Sequence, residues 1–198
     1  MRALRAAEDL IYLENQFLWS PEITETLIDK LRNPPHDRFR VVLVLPRKPS
    51  NGADTTRGQL GRLLEADDGN HRLLAVTLTS HDGESKVAVY VHAKLAIIDD
   101  TWMTVGSANL NEHSLFNDTE ANVVTDDAGL VKDTRLRLWA EHLQLPVSEV
   151  DDEPADVIDR LWRPFAESHE KHRLTLLPGV SRRVDRLQGP LRGLLVDG

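Results

Sequence analysis

Tyr90-Val91-His92-Ala93-Lys94-Leu95-Ala96-Ile97-Ile98-Asp99-Asp100, then Trp102-Met103-Thr104-Val105 and Gly106-Ser107-Ala108-Asn109-Leu110-Asn111, is the stretch on which the fold turns. Lys94 to Ile98 is almost wholly apolar and predicts a buried strand, and Trp102 to Val105 pairs with it through the Asp99-Asp100 turn. On a strand, His92 and Lys94 stand two residues apart and share a face, with the small Ala93 pointing away. An imidazole beside an ammonium suits an anionic, oxygen-rich group such as a phosphate. Lys94 supplies fixed positive charge, and His92 can attack phosphorus or move a proton. Asp99 falls at the strand end, on an exposed turn or back against the site. Gly106 permits a close backbone approach, while Ser107 and Asn109 offer neutral hydrogen-bonding groups.

Upstream, Ile11-Tyr12-Leu13 reads as a short strand that runs into Glu14-Asn15-Gln16. Three polar residues wrapped by large apolar ones either satisfy buried backbone groups or line a pocket. Ser20-Pro21-Glu22 supplies an N-cap and a first-turn proline for a helix with Ile23, Leu27, Ile28 and Leu31 on one face, stopped at Asn33-Pro34-Pro35. Phe39 to Leu45 predicts a central strand, Pro46 to Gly58 a loop, and Gln59 to Ala66 a helix. Arg72 to Thr79 and Lys86 to Val91 predict two more strands around an Asp82-Gly83 turn, and Glu120 to Thr125 a last one. Leu130, Val131, Leu136, Leu138, Trp139 and Leu143 then mark a long amphipathic helix. The acidic run Glu149 to Glu153 reads as a loop or linker before a short helix, Ala155 to Trp162, and a Pro/Gly/Arg-rich tail. The order predicts an α/β fold with a mixed sheet, divided into residues 1–145 and a mainly helical C-terminal extension, 146–198.

Composition narrows the chemistry. The 198 residues contain no cysteine, which removes thiol catalysis, Cys-ligated zinc and Fe–S clusters. Apolar runs stay far short of the roughly 20 residues that cross a bilayer. Acidic residues near Met1 disfavour a secretory signal, so the expected location is cytoplasmic, with peripheral membrane contact compatible with it. A net charge of −8 disfavours nucleic acid as the general partner. His169-Glu170-Lys171-His172 puts two histidines at metal-binding spacing, but with no third ligand nearby it reads as a solvated face. Arg182, Arg183, Arg186 and Arg192 read as a surface cluster, Asn117-Asp118-Thr119 as an incidental sequon, and Gly58 to Gly61 lacks the residues of a phosphate-binding loop. No metal site and no cofactor is expected.

The spacing His92-x-Lys94, four residues, Asp99, six residues, Gly106-Ser107-x-Asn109 resembles the signature of the phospholipase D superfamily at all six specified positions. Ile11 to Phe17 is similar to the segment that opens the C-terminal half of two-motif phospholipases D. Ser114 and Asp118-Thr119-Glu120 resemble the continuation of the motif, with His113 where arginine is common. Arg135 to Leu143 is similar to the helix that follows, so the likeness runs from about residue 11 to 143. It implies an α-β-α sandwich and a two-step phosphodiester transfer through a phosphohistidine, with no required metal. His92 then corresponds to a catalytic histidine, and Lys94, Ser107 and Asn109 to the groups around the phosphate. Glu120 corresponds to the acid that orients the imidazole, and Asp99 to the motif aspartate, which reads better as a structural partner than as a proton acceptor.

Such a reaction needs two His-x-Lys motifs around one phosphate, and the complete signature occurs once here. Either a homodimer mate supplies the second, or a separate or missing N-terminal half does; the opening segment favours the latter and casts His92 as general acid/base. The leading expectation is a phosphodiesterase or phosphatidyl transferase acting on glycerophospholipids. The alternatives are a homodimeric nuclease-type phosphodiesterase, a cardiolipin-synthase-like transferase, and an inactive half-domain with an interaction role.

Overall fold

Two apolar strands, β1 (Leu10–Asn15) and β2 (Arg40–Val44), run parallel at the centre of a mixed sheet, in register from Leu10 opposite Arg40 to Glu14 opposite Val44. The computed structural model describes residues 1–50, 52–82, 85–168 and 172–177. The other strands are β3 (Leu73–Asp82), β4 (Ser85–Ala88), β5 (Lys94–Ile98), β6 (Trp102–Gly106), β7 (Asn122–Thr125) and β8 (Leu174–Leu176). Their order is β4-β3-β2-β1-β5-β6-β7, with β8 added on β3. The pairs β1·β2 and β2·β3 are parallel and the rest antiparallel.

Helices cover both faces, which is why Leu10–Leu13 and Val41–Val44 are apolar in succession rather than alternating. Ile11, Leu13, Val41 and Leu43 face α1 (Arg2–Ala6), α2 (Pro21–Arg32) and α3 (Ala53–Asp67). Tyr12, Val42 and Val44 face α4 (Ala128–Leu143) and the segment after it. As expected, Ser20 caps α2 by accepting from the Ile23 amide, and Pro21 occupies the first turn. Asp127 caps α4 by accepting from the Leu130 amide, and Gln144 ends it in the left-handed region.

Three local expectations are corrected. The loop expected over residues 46–58 is shorter, because α3 starts at Ala53. Gly52, at φ +58°, begins it; a Cβ there would lie 2.3 Å from the Trp19 ring, and the Trp19 indole donates to Thr56 Oγ1 at 2.9 Å. The strand expected over Lys86 to Val91 stops at Ala88. Residues 89–93 instead cross the C-terminal ends of β2 and β1 to reach β5, so His92 precedes the strand instead of lying on it.

The third correction concerns the acidic run and the tail. The run contains a helical turn, α5 (Val147–Val150), followed by α6 (Pro154–Val157), a π-helical turn (Ile158–Trp162) and α7 (Arg163–Glu167), and β8 extends the sheet. This segment buries Val150, Val157, Ile158, Trp162 and Leu174 in the α4-side core. Trp162 meets Trp139 at 5.3 Å between ring centroids and Tyr12 at 6.1 Å. No described helix is long and apolar enough to cross a membrane.

Candidate active site

The C-terminal edge of the parallel strands is where loops gather in open α/β sheets, and β5, running antiparallel to β1, begins at that same edge. Lys94 is its first residue and is only 9% exposed. Its ammonium donates to the His92 carbonyl at 2.9 Å and to Gln16 Oε1 at 3.2 Å. Burial holds Lys94 below its usual pKa, opposed by the charges of Tyr90 and Glu120. The His92 side chain beside it is exposed.

Glu120 is drawn in from the other side of the sheet. Gly106 ends β6 against β7 so closely that a Cβ would lie 2.3 Å from the Ala121 carbonyl oxygen. Only glycine allows this approach. It seats Ser107, whose amide donates to the Ala121 carbonyl at 3.1 Å and whose Oγ accepts from the Ala121 amide at 3.0 Å. Hydrogen bonds with Ser107 first, then with Ser114, and the nearby Lys94 charge hold Glu120 below the ordinary carboxylate range. A carboxylate in that state is an acceptor only, suited to hold an imidazole N–H. Asn109 is half-buried, and its Oδ1 has no hydrogen-bond partner.

Glu14, Asn15 and Gln16 separate. Gln16 joins the site through Lys94. Asn15 Oδ1 accepts from the amides of Phe17 at 3.1 Å and Leu110 at 3.2 Å, clamping the end of β1 to the loop after Asn109. Glu14 does not line the pocket. Strand alternation turns it to the opposite face, where its buried carboxylate accepts from Tyr12 Oη at 2.9 Å and pairs with His142 Nε2 at 3.1 Å. Asp99 also lies away from the group, at the far end of β5. Its carboxylate accepts from the amides of Glu8, Asp9 and Leu10 at 2.8, 2.8 and 2.7 Å. With φ of +50° and +53°, Asp99 and Asp100 form a tight hairpin turn closed by the Thr101 amide to the Ile98 carbonyl at 3.0 Å.

Two residues enter without having been singled out. Tyr90 stacks on His92 with ring centroids 6.2 Å apart, and its hydroxyl accepts from Gln16 Nε2 at 2.7 Å and from the Ser50 amide at 3.2 Å. Burial opposes ionisation of this phenol, but the bonds from Ser50 and Gln16 and the Lys94 charge outweigh it and place its pKa below the usual value. The signal was its position two residues before His92. Ser50 has no comparable signal, because it comes from a loop remote in sequence.

Among the described residues no cluster of three or more His, Asp or Glu could hold a metal ion. His169 and Lys171 repeat the His-x-Lys spacing, but Leu176 stands where the motif would have Asp. Residues 169–171, and the cluster of Arg182, Arg183, Arg186 and Arg192, lie outside the described residues.

The chain is similar to phospholipase D zeta 1 of Arabidopsis thaliana, 27% identical over 215 residues, an alignment that takes in 79% of this chain and 20% of the plant protein. It thus spans about one fifth of the length of that relative. Among solved structures it resembles Nuc, a phospholipase D family member of Salmonella typhimurium, with a TM-score of 0.53 at 17% identity over 71% of this chain and 81% of that one. Phosphatidylserine synthase of Haemophilus influenzae gives 0.51 at 15% identity, over 83% and 40%. Both structural likenesses concern the fold, a mixed sheet between helices. Residues 1–140 match the family described as "Cardiolipin synthase, PLD-like domain". That match covers well over half of the chain, which therefore belongs to the phospholipase D-like superfamily.

Proposed function

We propose that this chain is one half of a phospholipase D-type phosphodiesterase acting on glycerophospholipids, with the second His-x-Lys supplied by a partner half. The observation that carries the reading is the group at the sheet edge: one exposed imidazole, a buried ammonium, an ionised carboxylate and a half-buried asparagine whose Nδ2 can donate. The partner's imidazole attacks phosphorus, forming the N–P bond as the P–O bond to the alcohol breaks. His92 gives its proton to the departing alkoxide. It then takes a proton from water, whose oxygen forms the new P–O bond as the N–P bond breaks. An acceptor alcohol in place of water gives phosphatidyl transfer. Lys94, Ser107 and the Asn109 amide stand where negative charge builds on the phosphoryl oxygens, and Glu120 holds the far N–H of the His92 ring.

The surface beside the site supports a partner. Among the described residues no strand pairs with the outer edge of β7, and its Val123 and Val124 are 69% and 56% exposed on opposite faces. Unpaired edges with apolar side chains are rare on monomers and mark association surfaces. A lipid substrate is favoured over nucleic acid by the net charge of −8 and by the phospholipase D names of the sequence relatives. The test is turnover of bis-p-nitrophenyl phosphate and of phosphatidylcholine by this chain alone and mixed with an N-terminal phospholipase D half. The reading predicts activity only in the mixture and none with His92→Ala. Full activity of the isolated chain as a monomer, or of the His92→Ala mixture, contradicts it.

A further inference from the structure

A cavity of about 300 Å3 lies between the sheet and the α1/α2 side of the molecule, at the small end of the range for ligand pockets. Strand register sets its polarity. Its floor starts at the active-site edge with Asn15, Lys94 and Asn122, passes Leu13, Ala96 and Thr104, and ends at Trp102. The four steps along the strand from Gly106 to Trp102 make this roughly 13 Å at ~3.3 Å per residue. Leu110, Leu115 and Phe116 form the facing wall, and Ala108, between Ser107 and Asn109, joins it to the catalytic loop.

The polar floor groups are already engaged. Asn15 Oδ1 holds two amides, Asn122 Nδ2 donates to Thr104 Oγ1 at 3.1 Å, and Thr104 Oγ1 donates to the Val123 carbonyl at 3.1 Å. Those atoms are thus spoken for, and although Glu22 also lines the cavity, most of the wall open to an occupant is apolar, including Leu13, Leu110, Leu115, Phe116 and Trp102. The head of the same occupant lies at Lys94.

We infer that this cavity receives an acyl chain of the phosphodiester substrate, seating the chain along β5 and β6 while the phosphate is held at the sheet edge. The inference rests on the phosphodiesterase reading and names where that site distinguishes lipid diesters from head-group diesters. Each methylene moved from water to such a wall favours binding about fourfold, so a six-carbon chain gains at least about tenfold even if half of it is buried.

The test needs no turnover. Binding of monomeric 1-hexanoyl-lysophosphatidylcholine and of glycerophosphocholine to the full chain is measured by calorimetry and methyl NMR. Two variants are compared with the parent: Ala96→Phe, which fills the floor, and Leu115→Glu at the exposed wall, which the fold tolerates even if the first does not. The chained ligand is expected to bind at least tenfold more tightly and to shift the methyls of Leu13, Leu110 and Leu115, with each folded variant losing most of that preference. Equal binding of the two ligands, or a preference untouched in Leu115→Glu, overturns the inference. A chain preference that survives in a protein inactive with every partner half supports the cavity and defeats the enzyme reading; hydrolysis of soluble diesters without chain preference does the reverse.

Discussion

Replacing Asp99 separates the motif's structural part from its chemistry. The carboxylate accepts from three backbone amides at the start of β1, those of Glu8 and Asp9 being exposed and that of Leu10 part-buried. In Asp99→Ala the exposed amides turn to water, while the Leu10 amide loses its partner at a cost of about 1–3 kcal/mol. Alanine at φ +50° adds about 1–2 kcal/mol. The expected loss is thus about 2–5 kcal/mol. For a chain of this size at roughly 2–4 °C per kcal/mol, Tm falls by about 5–20 °C. Asp99→Gly also loses the carboxylate but is unstrained at φ +50°, so it recovers about 1 kcal/mol of the alanine loss. Asp99→Asn keeps one acceptor oxygen and tolerates the turn, so it falls between the parent and the alanine variant. Thermal and urea unfolding of the three variants give the series, and the reconstituted activity of the folded fraction stays within a few-fold of the parent. An Asp99→Asn protein that is fully stable but inactive would falsify the structural assignment, and an Asp99→Ala protein with unchanged Tm would refute the hydrogen-bond accounting.

Other residues give equally specific expectations. Gln16→Leu leaves the buried Lys94 ammonium with one fewer acceptor, worth about 1.5–3 kcal/mol for a charged donor. Tm should fall by about 3–12 °C, and the kcat/KM of the folded, reconstituted protein should fall about 10- to 100-fold; an unchanged kcat/KM removes Gln16 from the site. Glu14→Leu strands Tyr12 Oη and His142 Nε2 in the core, so stability should drop about 1–3 kcal/mol in urea titration while the Lys94 NMR signals stay in place; moved Lys94 signals would put Glu14 back in the site. Glu120 has its folded pKa below the unfolded value, so its contribution is present above the unfolded carboxylate pKa and disappears as pH falls through the folded one. Glu120→Gln should therefore flatten the acid limb of stability against pH, and an identical limb in both proteins counts against the Ser107 and Ser114 bonds.

Much of this arrangement is legible in the sequence because local rules and motif spacing agree. The Ser20-Pro21 cap, the apolar Arg40–Val44 run and the Asp99-Asp100 turn each announce their element in a few residues, and Gly106 announces the close approach that brings Ser107 and Glu120 together. What escapes depends on contacts between distant segments. The early start of α3 needs Trp19 against Gly52, thirty-odd residues away. Glu14 lies two residues before Gln16 in a polar run, but β1 ends at Asn15, so Gln16 leaves the strand towards Lys94 while Glu14 stays on the Tyr12 face with His142. Residues 89–93 have the composition of a strand, yet they must cross from the edge of the sheet to its centre, and that path leaves His92 outside the ladder.

The role given to His92 is tested most directly by a burst experiment on the His92→Ala chain reconstituted with an N-terminal half, using a p-nitrophenyl phosphodiester. p-Nitrophenolate leaves without a proton, so the first step survives the loss of the general acid while hydrolysis of the intermediate loses its base. The account predicts a burst of no more than one equivalent of p-nitrophenol per site, no steady turnover, and a phosphoryl adduct on the partner's histidine by mass spectrometry. Steady turnover at the parent rate, or an adduct carried by His92 in the parent complex, would contradict it.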